Sequence, residues 1–198
     1  LDSVGLNYLA ENDLGPVYGH QWRHFNAKYI NKDTDYSGEG IDQLNEVINL
    51  LKDPEKRYSR RIIMSSWNPC QLKDMALPPC HVLCQFNVIG NKLSCILYQR
   101  SCDVGLGVPF NIASYSFLTH LLAKHCNLEA EEFIYYLGNC HIYDDHLEKL
   151  RSQTQKSPFK FPVLQIKERK NNIENYTLED FEIKDYKHHE TIKMTMRN

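Results

Sequence analysis

Residues 77–111 read LPPCHVLCQFNVIGNKLSCILYQRSCDVGLGVPFN and predict a β-hairpin. Apolar residues alternate with others from Val82 to Val88 and again from Leu93 to Gln99, with Gly90-Asn91 between the two runs. A period of two is typical of strands, and a two-residue Gly-Asn loop is typical of a tight turn. We therefore expect antiparallel pairing that begins with Ile89 opposite Lys92.

The hairpin register also predicts a chemical site. It puts Cys80 opposite Ser101 and beside Arg100, within one or two residues of register error. A cysteine is only slightly ionised at neutral pH with an ordinary pKa of about 8.5, and a guanidinium nearby favours the reactive thiolate. Asn111 adds an amide with one donor and one acceptor end, suited to a nucleobase. Although a free cysteine is usually an inert core residue, this concentration of groups favours an enzyme acting on a nucleotide monophosphate.

The rest of the chain predicts an α+β fold. The first 38 residues are expected to form loops and short elements, because Gly-Pro and Ser-Gly pairs interrupt them. Apolar spacing predicts helices over residues 41–51, 110–125 and 144–155, the last capped by an aspartate, and further strands over 60–68, 133–137, 163–166 and 192–196.

Composition narrows the class of protein. The 198 residues suit one core of medium size, and the net charge of −2 gives no electrostatic case for nucleic acid or a membrane as partner. No long apolar run and no signal peptide is recognised, so a cytoplasmic protein is expected. The seven cysteines are expected to be reduced thiols, and no metal is expected because neither they nor the nine histidines show ligand spacing.

Six collinear motifs carry a resemblance to a known family. They are DLGPVYG (13–19), QWRHF (21–25), RRIIM (60–64), MALPPCH (75–81), YQRS (98–101) and GLGVPFNIASY (105–115). Together they resemble the thymidylate synthase family over essentially the whole chain. The resemblance implies a large twisted mixed sheet with flanking helices, packed face to face with its copy in a homodimer with shared active sites.

The resemblance implies a methyltransferase that converts dUMP to dTMP. Cys80, as thiolate, would add to carbon 6 of uracil, and carbon 5 would then attack the methylene carbon of 5,10-methylenetetrahydrofolate. Tyr18 and ordered water would assist loss of the proton from carbon 5, and the folate would deliver the hydride and leave as dihydrofolate. NADPH is expected only if a reductase domain is fused upstream.

The resemblance also assigns binding roles. The dUMP phosphate would be held by Arg100 and Ser101 of one subunit and by Arg60 and Arg61 of the other. Without the resemblance, Arg60 and Arg61 are more simply interpreted as solvent-exposed residues at the start of a strand. The remaining dUMP set is Gln99, Asn111 for the base, and His141 with Tyr143 for the ribose. The folate set is Asp103, Leu106, Gly107 and Phe110. His81 is expected to be structural rather than the base for the thiol.

Three departures and two alternatives qualify this interpretation. Asn87 and Asn139 replace the family's usual tyrosine and aspartate, and the Arg197-Asn198 tail replaces small apolar residues. Because residue 1 is a leucine, residues 1–198 are expected to form a synthase domain that lacks its N-terminal segment, from a protein fused to dihydrofolate reductase as in protozoa. The alternatives are a catalytically incomplete nucleotide-binding fragment and a nucleotide hydroxymethylase of the same fold, against which Asn111 argues.

Overall fold

The computed structural model describes residues 10–197, so the expectations attached to Leu1 and Asn198 lie outside the described residues. The helices are α1 (Tyr18–His24), α2 (Gln43–Lys52), α3 (Gly107–His125) and α4 (Leu147–Thr154). The strands are β1 (Ile63–Ser65), β2 (His81–Ile89), β3 (Lys92–Asp103), β4 (Glu129–His141), β5 (Val163–Ile166) and β6 (Phe181–Lys184). Short 3-10 helices lie at Leu72–Asp74, Asp144–His146, Ile173–Asn175 and Leu178–Asp180.

The main sheet has four strands in the order β1-β2-β3-β4, and a second sheet pairs β5 with β6. Strand β2 is antiparallel to both neighbours, whereas β3 and β4 are parallel and are joined through α3, so the sheet is mixed. The α+β prediction is confirmed.

The predicted hairpin is confirmed, with Ile89 opposite Lys92. A register shift between His81 and Leu83 places His81 opposite Gln99. The main-chain N–H of Arg100 therefore donates to the carbonyl of Cys80 at 2.9 Å. The predicted neighbourhood of Cys80 and Arg100 is correct, and the bulge accounts for the one-residue difference from Ser101.

The core lies between one face of the main sheet and helices α2 and α3. Alternate residues of the hairpin point into it, namely Cys84, Phe86 and Val88 from β2 and Leu93, Cys95 and Leu97 from β3. Helix α2 contributes Val47, Ile48 and Leu51, and α3 contributes Tyr115, Leu122 and Ala123. The sequence alternation thus reports burial on one face of the sheet. Within residues 10–197, no helix is long and apolar enough to cross a membrane.

Several predicted boundaries are wrong. Strand β1 is shorter than predicted, and β4 is longer because it follows the whole length of β3. The aspartate cap of residues 144–155 is also wrong: a 3-10 turn precedes α4, and Asp144 makes no capping bond. Its neighbour Asp145 instead pairs with Arg197, with Oδ2 and Nη2 2.9 Å apart.

The strand predicted over residues 192–196 is absent, and β6 was not predicted. Residues 187–197 have no ladder partner. Ile192 and Met194 are half-buried against a cavity while their neighbours are exposed, and this one-sided packing produces the alternation. The tail is held by the carbonyl of Thr195, which lies 2.8 Å from Nε2 of the buried His146.

A buried carboxylate organises the loop before α1. Asp13 is fully buried and accepts hydrogen bonds from the N–H of Gly15 at 2.9 Å, the hydroxyl of Tyr29 at 2.6 Å and the N–H of Lys32 at 3.0 Å. Burial alone would raise the pKa of Asp13, but these hydrogen bonds, that of Tyr29 foremost, together lower it below its usual value of 3.8. The carboxylate is therefore a structural part of this loop.

This arrangement predicts acid sensitivity. A carboxyl whose pKa is lowered on folding stabilises the protein above its unfolded pKa, and this stability is lost as pH falls through the folded pKa. We expect Asp13→Asn to lower the free energy of unfolding by about 1–3 kcal/mol near neutral pH, because the amide opposes the N–H of Lys32 with a second donor. Urea unfolding should show the difference from wild type shrinking below pH 3.8. A constant difference at all pH values would contradict it. The exposed Asp33→Asn is the control, expected within about 0.5 kcal/mol of wild type.

Candidate active site

Cys80 lies immediately before β2 and is half-buried. Its main-chain N–H donates to the hydroxyl oxygen of Tyr18 at 2.7 Å, and the N–H of His81 lies 3.4 Å from the same oxygen. Tyr18 is the first residue of α1, so this helix start fixes the loop that carries the thiol. Burial raises the pKa of Tyr18, which keeps its hydroxyl protonated at neutral pH. Because the oxygen accepts from the backbone, the hydroxyl proton is free to be donated elsewhere.

The guanidinium of Arg100 is held against the same loop. Its Nε donates to the carbonyl of Pro79 at 3.0 Å and its Nη2 to the carbonyl of Pro78 at 2.8 Å. Its Cζ lies 5.5 Å from the ring centroid of Trp67, a cation–π partner that no sequence pattern predicted. The positive charge is thus fixed beside the cysteine, and the remaining N–H donors of the guanidinium are available to an anion. The half-buried Ser101 follows it in β3.

Asn111 lies in the first turns of α3 and joins a chain of partly buried polar groups. Its Oδ1 accepts from Nε2 of Gln99 at 3.0 Å, and Nε2 also donates to the carbonyl of Ser101 at 2.8 Å. The hydroxyl of Tyr135 in β4 donates to Oε1 of Gln99 at 2.6 Å. The sequence pattern marked Tyr135 only as part of an aromatic strand, because its hydrogen bond depends on the pairing of two distant strands.

His81 packs against two aromatic rings. Its ring lies 5.2 Å from that of Tyr18 and 5.1 Å from that of Tyr115, centroid to centroid. Burial lowers the pKa of His81, partly offset by a hydrogen bond with Asn111, so the imidazole is neutral at physiological pH. These contacts suit the structural role expected for His81.

The parallel pairing of β3 and β4 brings their carboxyl ends together, with Asp103 opposite His141. Nδ1 of His141 lies 3.2 Å from the carbonyl oxygen of Asn139 and 3.1 Å from its Oδ1. Since a backbone carbonyl only accepts, Nδ1 carries the proton and Nε2 is left for another partner. Asn139 therefore orients this imidazole. The ring of Tyr143 lies 5.2 Å from it.

Asp103 caps the start of α3. Its carboxylate accepts from the N–H of Gly105 at 2.9 Å and from those of Leu106 and Gly107 at 3.3 Å. A carboxylate has further lone pairs, so these bonds leave capacity for a ligand. A Cβ at Gly105 would approach Nδ1 of His146 to 2.7 Å, whereas one at Gly107 would meet nothing closer than 3.6 Å.

A cavity of about 550 Å³ opens beside the start of α3. Two residues of the predicted folate set, Leu106 and Phe110, line it, and Phe110 is 72% exposed. The opposite walls include Phe159, Phe161, Ile192 and Met194, with Lys156 and Lys160 also lining it. Its size and largely apolar walls are typical of a small-molecule site.

Arg60 and Arg61 lie apart from this group. Both are exposed in the loop before β1 and line a separate cavity of about 580 Å³. Extending the pairing of Ile63 with Gln85 by two residues puts Arg61 level with Asn87. Asn87 is seven residues from Cys80 in the sequence, which corresponds to roughly 20 Å along an extended strand. The two arginines therefore do not reach the thiol of their own chain.

The seven thiols differ in exposure. Cys80 is half-buried, Cys70 and Cys140 are exposed, and the other four, Cys84, Cys95, Cys102 and Cys126, are buried. All are free, and no group of three or more metal-binding side chains occurs among residues 10–197.

Comparison with known proteins agrees with the motifs. The thymidylate synthase family model matches residues 6–198. The chain is 57% identical, over 99% of its length, to 42% of the bifunctional dihydrofolate reductase-thymidylate synthase of Paramecium tetraurelia. It is 53% identical, again over 99% of its length, to 62% of the thymidylate synthase of Homo sapiens. The corresponding protein of Saccharomyces cerevisiae is 52% identical, with 67% of its length covered. The chain thus spans between about two fifths and two thirds of these relatives.

Proposed function

Since this chain belongs to the thymidylate synthase family, we propose that the protein containing it methylates dUMP to dTMP with 5,10-methylenetetrahydrofolate and releases dihydrofolate. The observation that carries the proposal is the setting of Cys80, a half-buried residue whose main-chain N–H donates to the Tyr18 hydroxyl and whose neighbour Pro79 accepts from the Arg100 guanidinium. A cysteine beside a fixed cation, with a base-reading amide nearby, is suited to covalent attack on a nucleotide.

The proposed reaction starts with addition of the Cys80 thiolate to carbon 6 of uracil. The electrons displaced make carbon 5 nucleophilic, and carbon 5 forms a bond to the methylene carbon of the folate as the first of its two carbon–nitrogen bonds breaks. Carbon 5 then loses its proton, with Tyr18 and water assisting, and the second carbon–nitrogen bond breaks. This step leaves an exocyclic methylene group on carbon 5 and frees tetrahydrofolate. Hydride transfer from tetrahydrofolate completes the methyl group and forms dihydrofolate, and the thiolate leaves carbon 6.

The phosphate of dUMP is bound mainly by charge, whereas its base and ribose are bound by hydrogen bonds. The donors of Arg100 not used by Pro78 and Pro79 bind the phosphate together with the hydroxyl of Ser101. Asn111 pairs with the oxygen at position 4 and the N–H at position 3 of uracil. His141, through Nε2, and Tyr143 bind the ribose hydroxyl.

Reduced folate fits the cavity beside α3. A flat ring requires apolar walls such as those given by Leu106 and Phe110, and the anionic tail of a folate suits the lysines at positions 156 and 160. The spare acceptor capacity of Asp103 serves N–H groups of the ring. Gly107 leaves room for close approach of the ring to the backbone.

The active sites are shared in a homodimer. Arg60 and Arg61 are about 20 Å from the thiol along β2, so they serve the phosphate only from a second subunit. Residues 1–198 act as one synthase domain in the cytoplasm. The similarity to bifunctional proteins of Paramecium and Plasmodium supports a fused dihydrofolate reductase, and NADPH would serve that reductase alone.

The full-length protein tests the proposal directly. With dUMP tritiated at carbon 5, we expect tritium release and dihydrofolate formation in equal amounts, both dependent on methylenetetrahydrofolate. Tight dUMP binding without tritium release would favour the nucleotide-binding alternative. Faster turnover of dCMP than of dUMP would favour the hydroxymethylase, against which the amide of Asn111 argues.

A further inference from the structure

We propose that Tyr135 is a positioning residue that fixes the direction of the Asn111 amide and so favours uracil over cytosine. The inference rests on the proposed binding of dUMP and adds a residue to that site. It follows from the hydrogen-bond chain Tyr135–Gln99–Asn111, in which each donor and acceptor is determined by its neighbour.

The hydrogen-bond chain starts from a group that can only accept a hydrogen bond. The main-chain carbonyl of Ser101 accepts and cannot donate, so the side-chain atom of Gln99 that lies 2.8 Å from it is the NH₂ group. The other end of the amide is then the oxygen, and the hydroxyl of Tyr135 donates to it at 2.6 Å. Burial raises the pKa of Tyr135, so the hydroxyl keeps its proton. Gln99 is only 2% exposed, and solvent does not replace these partners.

The direction of the Gln99 amide determines the direction of the Asn111 amide. The second N–H of the Gln99 amide donates to Oδ1 of Asn111 at 3.0 Å, so Asn111 turns its oxygen toward Gln99. Its NH₂ group is left to face the group at position 4 of a bound base, and the second lone pair of Oδ1 is left for the N–H at position 3. A donor at this position matches the oxygen at position 4 of uracil and opposes the amino group of cytosine.

Loss of the Tyr135 hydroxyl would weaken this preference. Oε1 of Gln99 would be buried without a donor, and the Ser101 carbonyl alone would resist rotation of the amide. A rotated Gln99 presents oxygen to Asn111, which then turns its own NH₂ toward Gln99 and its oxygen toward the base.

The test compares dUMP and dCMP binding to full-length Tyr135→Phe by isothermal titration. We expect the ratio of dUMP to dCMP affinity to fall roughly 10-fold, the scale of one buried unsatisfied acceptor. The matched control is Tyr136→Phe, the next residue of β4, which is 58% exposed and should keep the wild-type ratio. A wild-type ratio in Tyr135→Phe would overturn the inference, because a purely packing role would change both affinities alike.

A second variant decides the question if Tyr135→Phe does not fold. Gln99→Glu replaces the donor end by a second acceptor, so Asn111 must turn its NH₂ toward it and present oxygen to the base. We expect Gln99→Glu to prefer dCMP over dUMP. An undiminished preference for dUMP would show that the hydrogen-bond chain does not set the direction of the Asn111 amide. A wild-type protein that fails to prefer dUMP would instead refute the proposed function, so the two failures are distinguishable.

Discussion

Replacing Cys80 by alanine is expected to lower kcat by about 10⁴-fold or more, as loss of a nucleophile does in other covalent enzymes. The loop that carries Cys80 is fixed by hydrogen bonds with Tyr18 and Arg100. The measurement is dTMP formation by the full-length variant, together with a trapped adduct between protein and nucleotide, which should disappear.

Binding of dUMP should survive this substitution. The thiol makes the covalent bond, whereas Arg100 and Ser101 hold the phosphate in the proposed site. Cys70→Ala is the matched control, because Cys70 is exposed and belongs to no part of the site, and it should retain wild-type kcat. Retention of a tenth of wild-type turnover by Cys80→Ala would refute the assignment of the nucleophile.

The second large effect is expected from mixed subunits. Arg61→Glu should inactivate the proposed homodimer, because it replaces the cation proposed to bind the phosphate by an anion, and Cys80→Ala should do the same. In a hybrid, one site receives an intact Cys80 from one subunit and an intact Arg61 from the other. Random mixing of equal amounts makes half the dimers hybrid, each with one intact site, so about a quarter of wild-type activity should return.

The control for this experiment keeps Arg61 absent throughout. Mixing Arg61→Glu with the double variant Arg61→Glu/Cys80→Ala should restore nothing, since no site receives the arginine. Subunit exchange is followed independently with a labelled copy. Absence of recovered activity despite exchange would show that Arg61 acts within its own chain or not at all, contrary to its place about 20 Å from the thiol along β2.

Local patterns predicted the central part of the fold. The alternation on both sides of Gly90-Asn91 established the hairpin and its register, and hence the contact between Cys80 and Arg100. These features depend on residues near each other in sequence, where the period of two and the turn chemistry act directly. The family resemblance then supplied expectations for Asp103 and His141, which parallel pairing places side by side.

Non-local packing explains what the sequence did not reveal. The hydroxyl of Tyr135 meets Gln99 only because β4 runs parallel to β3 after a long helix, a pairing that no local pattern encodes. Trp67 likewise reaches Arg100 from another strand end. The false strand at residues 192–196 shows the converse error, since one-sided contact with a cavity produces the same alternation as a sheet.

The seven thiols differ in exposure and therefore in how readily they are oxidised during storage. Four are enclosed in the core, where oxidants do not reach them without unfolding, while Cys70, Cys80 and Cys140 are accessible in the native state. Oxidation therefore begins on the outside, and one of its first targets is the proposed nucleophile. A preparation exposed to air would lose turnover while its melting temperature stayed unchanged. Thermal stability is therefore a poor measure of its activity, and a thiol reductant is the appropriate protectant.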